Sequence, residues 1–106
     1  MKNINLYYVF DKLENKTITT VLPASSHLTA ALGFMNAYIK NKESKIPYKN
    51  LSLRCCGKLL VLENGEYKQD VDYDKFELDG KDCIEFIRSQ IQENGLDDGF
   101  LDEEEI

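Results

Sequence analysis

The stretch from residue 51 to residue 66, LSLRCCGKLLVLENGE, decides how this chain folds. Its first six residues alternate, so Leu51, Leu53 and Cys55 point to one side of a strand and their neighbours point to the other. The glycine and lysine that follow allow a bend before LLVLE, which predicts a further strand. Asn64-Gly65 is a strong signal for a tight hairpin turn. The stretch therefore predicts antiparallel strands, with EYKQDV as the strand that returns from the turn.

Two segments before this stretch also read as strands. NINLYYVF at 3–10 and KTITTVL at 16–22 are rich in β-branched and aromatic residues and are close enough to form a hairpin. Pro23 is expected to stop the second strand, and Ser25 or Ser26 to cap a helix ending near Asn41. The apolar positions of that helix have helical spacing: Leu28, Ala31, Leu32, Met35, Tyr38 and Ile39.

The residues after the turn complete the predicted fold. VDYDKFEL is a candidate for one more short strand, and Asp82 with Glu85 resembles a capping box that opens a second helix, closed by Asn94-Gly95. The inner face of this helix would be Ile84, Ile87 and Ile91. We therefore predict an α+β domain, an antiparallel β-sheet covered by two amphipathic helices in the order β-β-α-β-β-(β)-α.

Charge is distributed unevenly along the 106 residues, whose formal net charge is −6. Residues 96–106 hold six acids and no base, which predicts one domain at 1–95 followed by an acidic, flexible tail. Residues 40–58 hold six bases and one acid, whereas residues 59–95 hold ten acids and four bases. This polarity is the main electrostatic feature of the sequence.

The chain has no signal for a membrane or for export. No apolar run approaches the roughly 20 residues that span a bilayer, and MKNINLYYVF lacks the apolar core and cleavage site of a signal peptide. A cytoplasmic location is therefore expected.

The cysteines and the single histidine do not predict catalysis. Cys55 and Cys56 are adjacent, so in a strand they point to opposite faces, and neither their spacing nor that of Cys83 fits a redox or zinc motif. His27 lies at the start of the first predicted helix, with no serine or cysteine linked to it by spacing. The acidic segment 67–82 does not fit a calcium loop. We therefore expect no enzyme activity, no metal site and no cofactor.

Several motifs together resemble a known family. LYYVFDK near the start, Pro23, the helix segment AALGFMNAYIK, NLSLRCCGKL and the ENGE turn are similar to the small nonstructural proteins of gokushovirus-type microviruses, the tailless single-stranded DNA phages. The resemblance covers roughly residues 4–66, with Ala30, Phe34 and Gly57 at matching positions, but IPYKN departs from the turn that the family tends to carry. It implies a phage accessory role in the host cytoplasm and a DNA-binding function.

The basic segment is the leading candidate for a nucleic-acid surface. Its cations would contact phosphates and its tyrosine would stack on a base, as in many single-strand-binding proteins. The candidate residues are Lys40, Lys42, Lys45, Tyr48, Lys49, Arg54 and Lys58.

Two alternative functions use the same charges differently. The acidic residues could imitate DNA in a phage-encoded inhibitor of a host defence system such as a CRISPR nuclease. The residues that would face this host protein are Glu63, Glu66, Asp70, Asp72, Asp74, Glu77, Asp97, Asp98 and Asp102. Opposite charge poles could instead drive self-assembly into a homo-oligomer.

Overall fold

The computed structural model describes residues 2–41 and 47–93. These residues form an antiparallel sheet and two helices, which confirms the predicted α+β class. The strands are β1 (Lys2–Asp11), β2 (Lys16–Thr17), β3 (Leu22–Ala24), β4 (Leu51–Val61), β5 (Tyr67–Asp70) and β6 (Glu77–Asp79). The helices are α1 (His27–Phe34) and α2 (Cys83–Glu93).

The two long strands β1 and β4 pair with each other at the centre of the sheet. β2 and β3 both pair with the outer edge of β1, while β5 and β6 both pair with β4. The predicted strand at 16–22 is therefore two short strands. Pro23 does not stop the second of them but lies inside β3 opposite Leu6, a position that an edge strand tolerates because proline needs no partner for an N–H group.

A β-bulge interrupts the pairing of the two central strands. Tyr7 is opposite Cys55 but Leu6 is opposite Gly57, so Cys56 is an extra residue on β4. The predicted bend near Gly57 is thus a bulge within one continuous strand. Because side chains alternate along a strand, the extra residue reverses which face each later residue of β4 points to.

Both helices begin close to where the sequence predicts. The Ser26 side chain accepts a hydrogen bond from the Thr29 backbone N–H and caps α1. The helical path continues beyond α1 as a π-helical turn at Met35–Ile39, so the helical run extends to the predicted end. A 3₁₀ turn at Gly80–Asp82 leads into α2, and another at Tyr48–Asn50 leads into β4.

The hydrophobic core lies between one face of the sheet and both helices. Leu51, Leu53 and Cys55 are buried together, which confirms the predicted phase of the strand, while Cys56 is exposed. The core also includes Tyr7, Val9, Ala31, Phe34, Met35, Ile39, Leu78, Cys83, Ile87 and Ile91. Since α1 and α2 contribute to the same cluster, they cover the same face of the sheet, which we call the covered face.

The opposite face of the sheet, here called the uncovered face, carries a row of apolar side chains. The strand register places on it the even-numbered residues of β1 and, beyond the bulge, the odd-numbered residues of β4. The apolar members from β1 and β4 are all half-buried and none packs against the core: Ile4, Leu6, Tyr8, Phe10, Leu59 and Val61. Tyr67 of β5 is opposite Val61 on the same face and is exposed. Within residues 2–41 and 47–93, no helix lies on this face.

Candidate nucleic-acid interface

The structure distributes the predicted basic residues over different elements. Lys40 follows the π-helical turn, and Lys49 is exposed on the 3₁₀ turn before β4. Arg54 is opposite Tyr8 and therefore lies on the uncovered face, whereas Lys58 is opposite Asn5 on the other side of the sheet because of the bulge. Lys42 and Lys45 lie outside the described residues. Arg54 is thus the predicted cation that the strand register places on the uncovered face.

Three groups hold the Arg54 guanidinium in place. Its Nη2 is 3.3 Å from Glu77 Oε1, and its Nε donates to Ser52 Oγ at 3.4 Å. The guanidinium carbon lies 4.3 Å from the centre of the Phe10 ring, a cation–π contact. Two of the nitrogens are engaged and the side chain is 28% exposed, so the five-donor guanidinium keeps further donors for a phosphate.

Aromatic residues of β1 surround this arginine on the uncovered face. Tyr8 is directly opposite Arg54 in the strand register, and Phe10 lies under the guanidinium. Tyr48, the residue to which the sequence assigns the stacking role, is half-buried and packs against the core. The sequence does not identify Tyr8 and Phe10, because LYYVF has aromatic residues at both odd and even positions. Its alternation therefore does not reveal which of them face outward.

Further cations lie at the same end of the sheet. The Lys12 backbone N–H donates to the Asn50 carbonyl, which joins the end of β1 to the start of β4. The Lys12 ammonium lies 3.0 Å from Asp79 Oδ1, and Lys16 is exposed on β2. Neither lysine falls within the basic segment of the sequence: the bond to Asn50 places Lys12 beside the start of β4, and Lys16 is opposite Asp11 in the strand register.

Much of the predicted acidic surface is engaged by neighbouring side chains. Asp70 Oδ2 lies 3.8 Å from the Lys58 ammonium, and Glu77 pairs with Arg54. Asp74 Oδ2 lies 2.9 Å from His27 Nε2, and the remaining described acids of the set are exposed: Glu63, Glu66 and Asp72. Asp97, Asp98 and Asp102 lie outside the described residues. Acidic and basic residues that are separate in sequence therefore meet across adjacent strands rather than forming two poles at these positions.

His27 takes part in a chain of hydrogen bonds beneath the helix. Its Nδ1 is 2.6 Å from the Tyr7 hydroxyl, and its Nε2 is 2.9 Å from Asp74 Oδ2. The ring also stacks on Phe76 at 4.2 Å between centroids. Asn5 Nδ2 donates to the same tyrosine hydroxyl. Because both ring nitrogens are engaged, the arrangement ties β1, α1 and the segment before β6 together.

Burial alters the acid–base properties of two residues in this region. It raises the pKa of Tyr7 to about 12, an effect that the hydrogen bond from Asn5 partly offsets. Burial also raises the pKa of the Cys83 thiol to about 12. Both groups therefore stay protonated and neutral at physiological pH, as suits side chains in the core.

The exposed cysteine, Cys56, differs from the other two in its surroundings. Burial of part of its surface and the nearby Cys55 raise the pKa of Cys56, which disfavours the reactive thiolate. Among the described residues, no group of three or more histidine, cysteine or acidic side chains is arranged to hold a metal ion.

A pocket of about 220 Å³ lies between β3 and the first helical run. Its walls include Tyr7, Leu22, Pro23 and Phe34, and the missing side chain of Gly33 leaves space there, since a Cβ at that position would have no neighbour within 4 Å. The lining is mostly apolar and lies on the covered side of the sheet, away from Arg54.

Comparison with protein-family models, with curated proteins and with solved structures finds no match. The described residues form a small α+β structure whose antiparallel sheet has both helices on one face. In the part of the chain that the structure describes, no helix is long and apolar enough to span a membrane.

Proposed function

We propose that this chain is a phage-type accessory protein without enzyme activity that binds single-stranded nucleic acid on its uncovered face. The observation that carries the proposal is Arg54 set among Tyr8 and Phe10 on a sheet face that no described helix covers. An aromatic ring can stack on a base, and a guanidinium can bind a phosphate. The resemblance of residues 4–66 to microvirus nonstructural proteins supports the same role.

The chemistry of the face favours single strands over duplexes. In a duplex the bases are stacked on one another, so an aromatic side chain on a flat sheet can reach few of them. In a single strand, Tyr8 can stack on a base while Arg54 holds the adjoining phosphate. Lys12, Lys16 and Lys49 would extend the phosphate contacts toward the end of the sheet. Lys42 and Lys45, for which the sequence also predicts phosphate contacts, would add two more cations.

The test is a fluorescence-polarisation titration of labelled single-stranded and duplex DNA at low and physiological salt. We expect tighter binding of the single strand than of the duplex. The affinity should fall as the salt concentration rises, because dissolved cations compete with the protein's lysines and arginine for the phosphates. Tyr8→Leu keeps an apolar strand residue but removes the stacking ring, and should weaken single-strand binding by about tenfold. Arg54→Gln should weaken binding and also flatten its salt dependence.

Tyr38→Leu is the matched control, because it makes the same change in a half-buried tyrosine next to the pocket on the covered side. Its affinity for DNA should equal that of the unmodified chain. Equal weakening by both variants would show that the loss is not specific to the uncovered face. If the unmodified chain binds no DNA at either salt concentration, the proposal fails, and capture of a basic host protein becomes the test of the inhibitor alternative.

A further inference from the structure

The outer edge of β5 carries exposed apolar residues at both ends. Tyr67, its first residue, is 64% exposed, and Val71, directly after its last residue, is 86% exposed. β5 pairs with β4 on one side, and no described residue pairs with its other side. An edge strand of this kind presents backbone donors and acceptors to another strand.

The hydrogen-bond phase of the hairpin identifies the backbone groups that face outward. The Leu62 N–H donates to the Glu66 carbonyl, and the same register continues to the pair Lys58 and Asp70. Residues directly opposite each other alternate between bonded and non-bonded pairs in an antiparallel ladder. The even-numbered residues of β5 therefore bond to β4, whereas Tyr67 and Gln69 direct their N–H and C=O groups to the free edge.

The sequence of this edge is complementary to itself when a second copy runs antiparallel to it. With Gln69 opposite Gln69 of the second copy, Lys68 is opposite Asp70 and Tyr67 is opposite Val71, twice each by symmetry. Cross-strand pairs of opposite charge and of apolar residues both stabilise a sheet. This register also lets the outward backbone groups of both copies meet.

Neighbouring registers with the same backbone phase are less favourable. Shifting the centre by one residue sets Lys68 opposite Lys68, or Asp70 opposite Asp70, and like charges directly opposite each other are destabilising. The Gln69-centred register has one unfavourable feature, since Glu66 is then opposite Asp72 at each end. Both of these residues are exposed, so water and salt screen the repulsion.

We infer that two copies of this chain pair through β5, forming a two-fold symmetric dimer in which one sheet continues across both subunits. The pairing is isologous, since the same strand of each copy meets the other, and it therefore closes at two subunits. Tyr67 and Val71 of each copy become covered by those of its partner. This inference does not depend on nucleic-acid binding.

Analytical ultracentrifugation of the full chain over a concentration series tests the dimer. The unmodified chain should sediment as a monomer–dimer equilibrium. Gln69→Pro removes an N–H that faces the free edge and leaves the bonds to β4 in place, so the dimer should weaken by about tenfold or more while the fold is kept. Gln69→Ala keeps the backbone N–H and should dimerise almost normally. Circular dichroism confirms that each variant is folded.

A pair of charge-reversed variants provides the decisive test of the dimer. Lys68→Glu and Asp70→Lys should each dissociate into monomers, because each sets like charges opposite one another. Mixing the two variants should restore a dimer, since the introduced glutamate of one copy then meets the introduced lysine of the other. Lys75→Glu, which makes an equal charge change at an exposed position beyond the strand, should dimerise normally. A strictly monomeric unmodified chain would overturn the inference, as would a dimer that survives Gln69→Pro and both single charge changes.

Discussion

The two faces of the sheet share their strands but differ in what holds their side chains. On the covered face, residues such as Val9 and Leu53 are 1% exposed and belong to the same core cluster as residues of both helices. On the uncovered face, residues such as Tyr8 and Leu59 are half-buried, lie between paired strands and do not belong to the core cluster of the described residues. The core of the described residues is therefore built on one face of the sheet, and the side chains of the other face keep part of their surface in solvent.

The largest expected contrast between the faces is in stability. Leu53→Ala removes a buried side chain from the covered face and should lower the free energy of unfolding by about 2–5 kcal/mol. Leu59→Ala on the uncovered face should cost less than half as much, because less apolar surface leaves water there on folding. Chemical denaturation of both variants measures the difference. Equal losses would show that the uncovered face is packed in solution by something beyond the described residues.

A second contrast compares the adjacent tyrosines of β1. Tyr7→Phe removes a buried hydroxyl from its bonds with Asn5 and His27, and should cost about 1–3 kcal/mol. Tyr8→Phe should cost little, since Tyr8 points to the uncovered face. Denaturation at neutral pH compares the two, and a large loss for Tyr8→Phe alone would contradict the assignment of faces.

Alkaline pH should sharpen this contrast. The pKa of Tyr7 is raised from 10.0 to about 12, so the folded state disfavours the phenolate. Its stabilising effect is complete below pH 10 and is lost as pH rises toward 12. The raised pKa of Cys83 also makes the free energy of unfolding fall as pH rises above 9, the ordinary pKa of the thiol. Tyr7→Phe should therefore show a shallower fall in stability between pH 10 and 12, and an unchanged slope would remove Tyr7 as a cause.

The sequence predicts the local features of both faces well and their long-range pairing poorly. The Ser26 cap, the hairpin near Asn64 and the burial of Cys55 follow from capping, turn chemistry and alternation, which act within a few residues. The bulge at Cys56 and the contact of Arg54 with Glu77 depend on strands that are distant in sequence. Periodicity alone could not supply that register.

The same limit explains the candidate site. The basic segment identified Arg54, but its aromatic neighbours lie more than 40 residues earlier in the chain. A charge count along the sequence also treated residues 40–58 and 59–95 as separate poles. The sheet instead brings Lys58 to Asp70 and Arg54 to Glu77, because antiparallel neighbours combine segments from different parts of the sequence.

A smaller effect is expected from the ion pair on the uncovered face. Glu77→Gln removes the carboxylate that competes with phosphate for Arg54, so the affinity for single-stranded DNA should rise a few-fold. Glu85→Gln on α2 makes the same charge change on the other side of the sheet and is the control. Polarisation titrations at low salt compare them. An equal gain from both variants would reflect net charge rather than the Arg54 site.

The smallest effect concerns the cysteines. Cys56→Ser should change the free energy of unfolding by no more than about 0.5 kcal/mol, because the side chain is exposed. A thiol reagent should label one cysteine in the folded chain and none in this variant, since Cys55 and Cys83 are buried. Labelling of a second thiol under native conditions would show that the covered face opens.

Before the bulge at Cys56, the odd-numbered residues of β4 point to the covered face, and after it they point to the uncovered face. Substitutions at this position should change stability little, and so should deletion of Cys56 alone, because Cys55 and Gly57 would then be consecutive opposite Tyr7 and Leu6 and the strand pairing would become regular. Lys58 would stay on the side of Asn5 and Leu59 on the uncovered face. Over evolution, the position should therefore vary freely in residue type and should also tolerate loss of the residue.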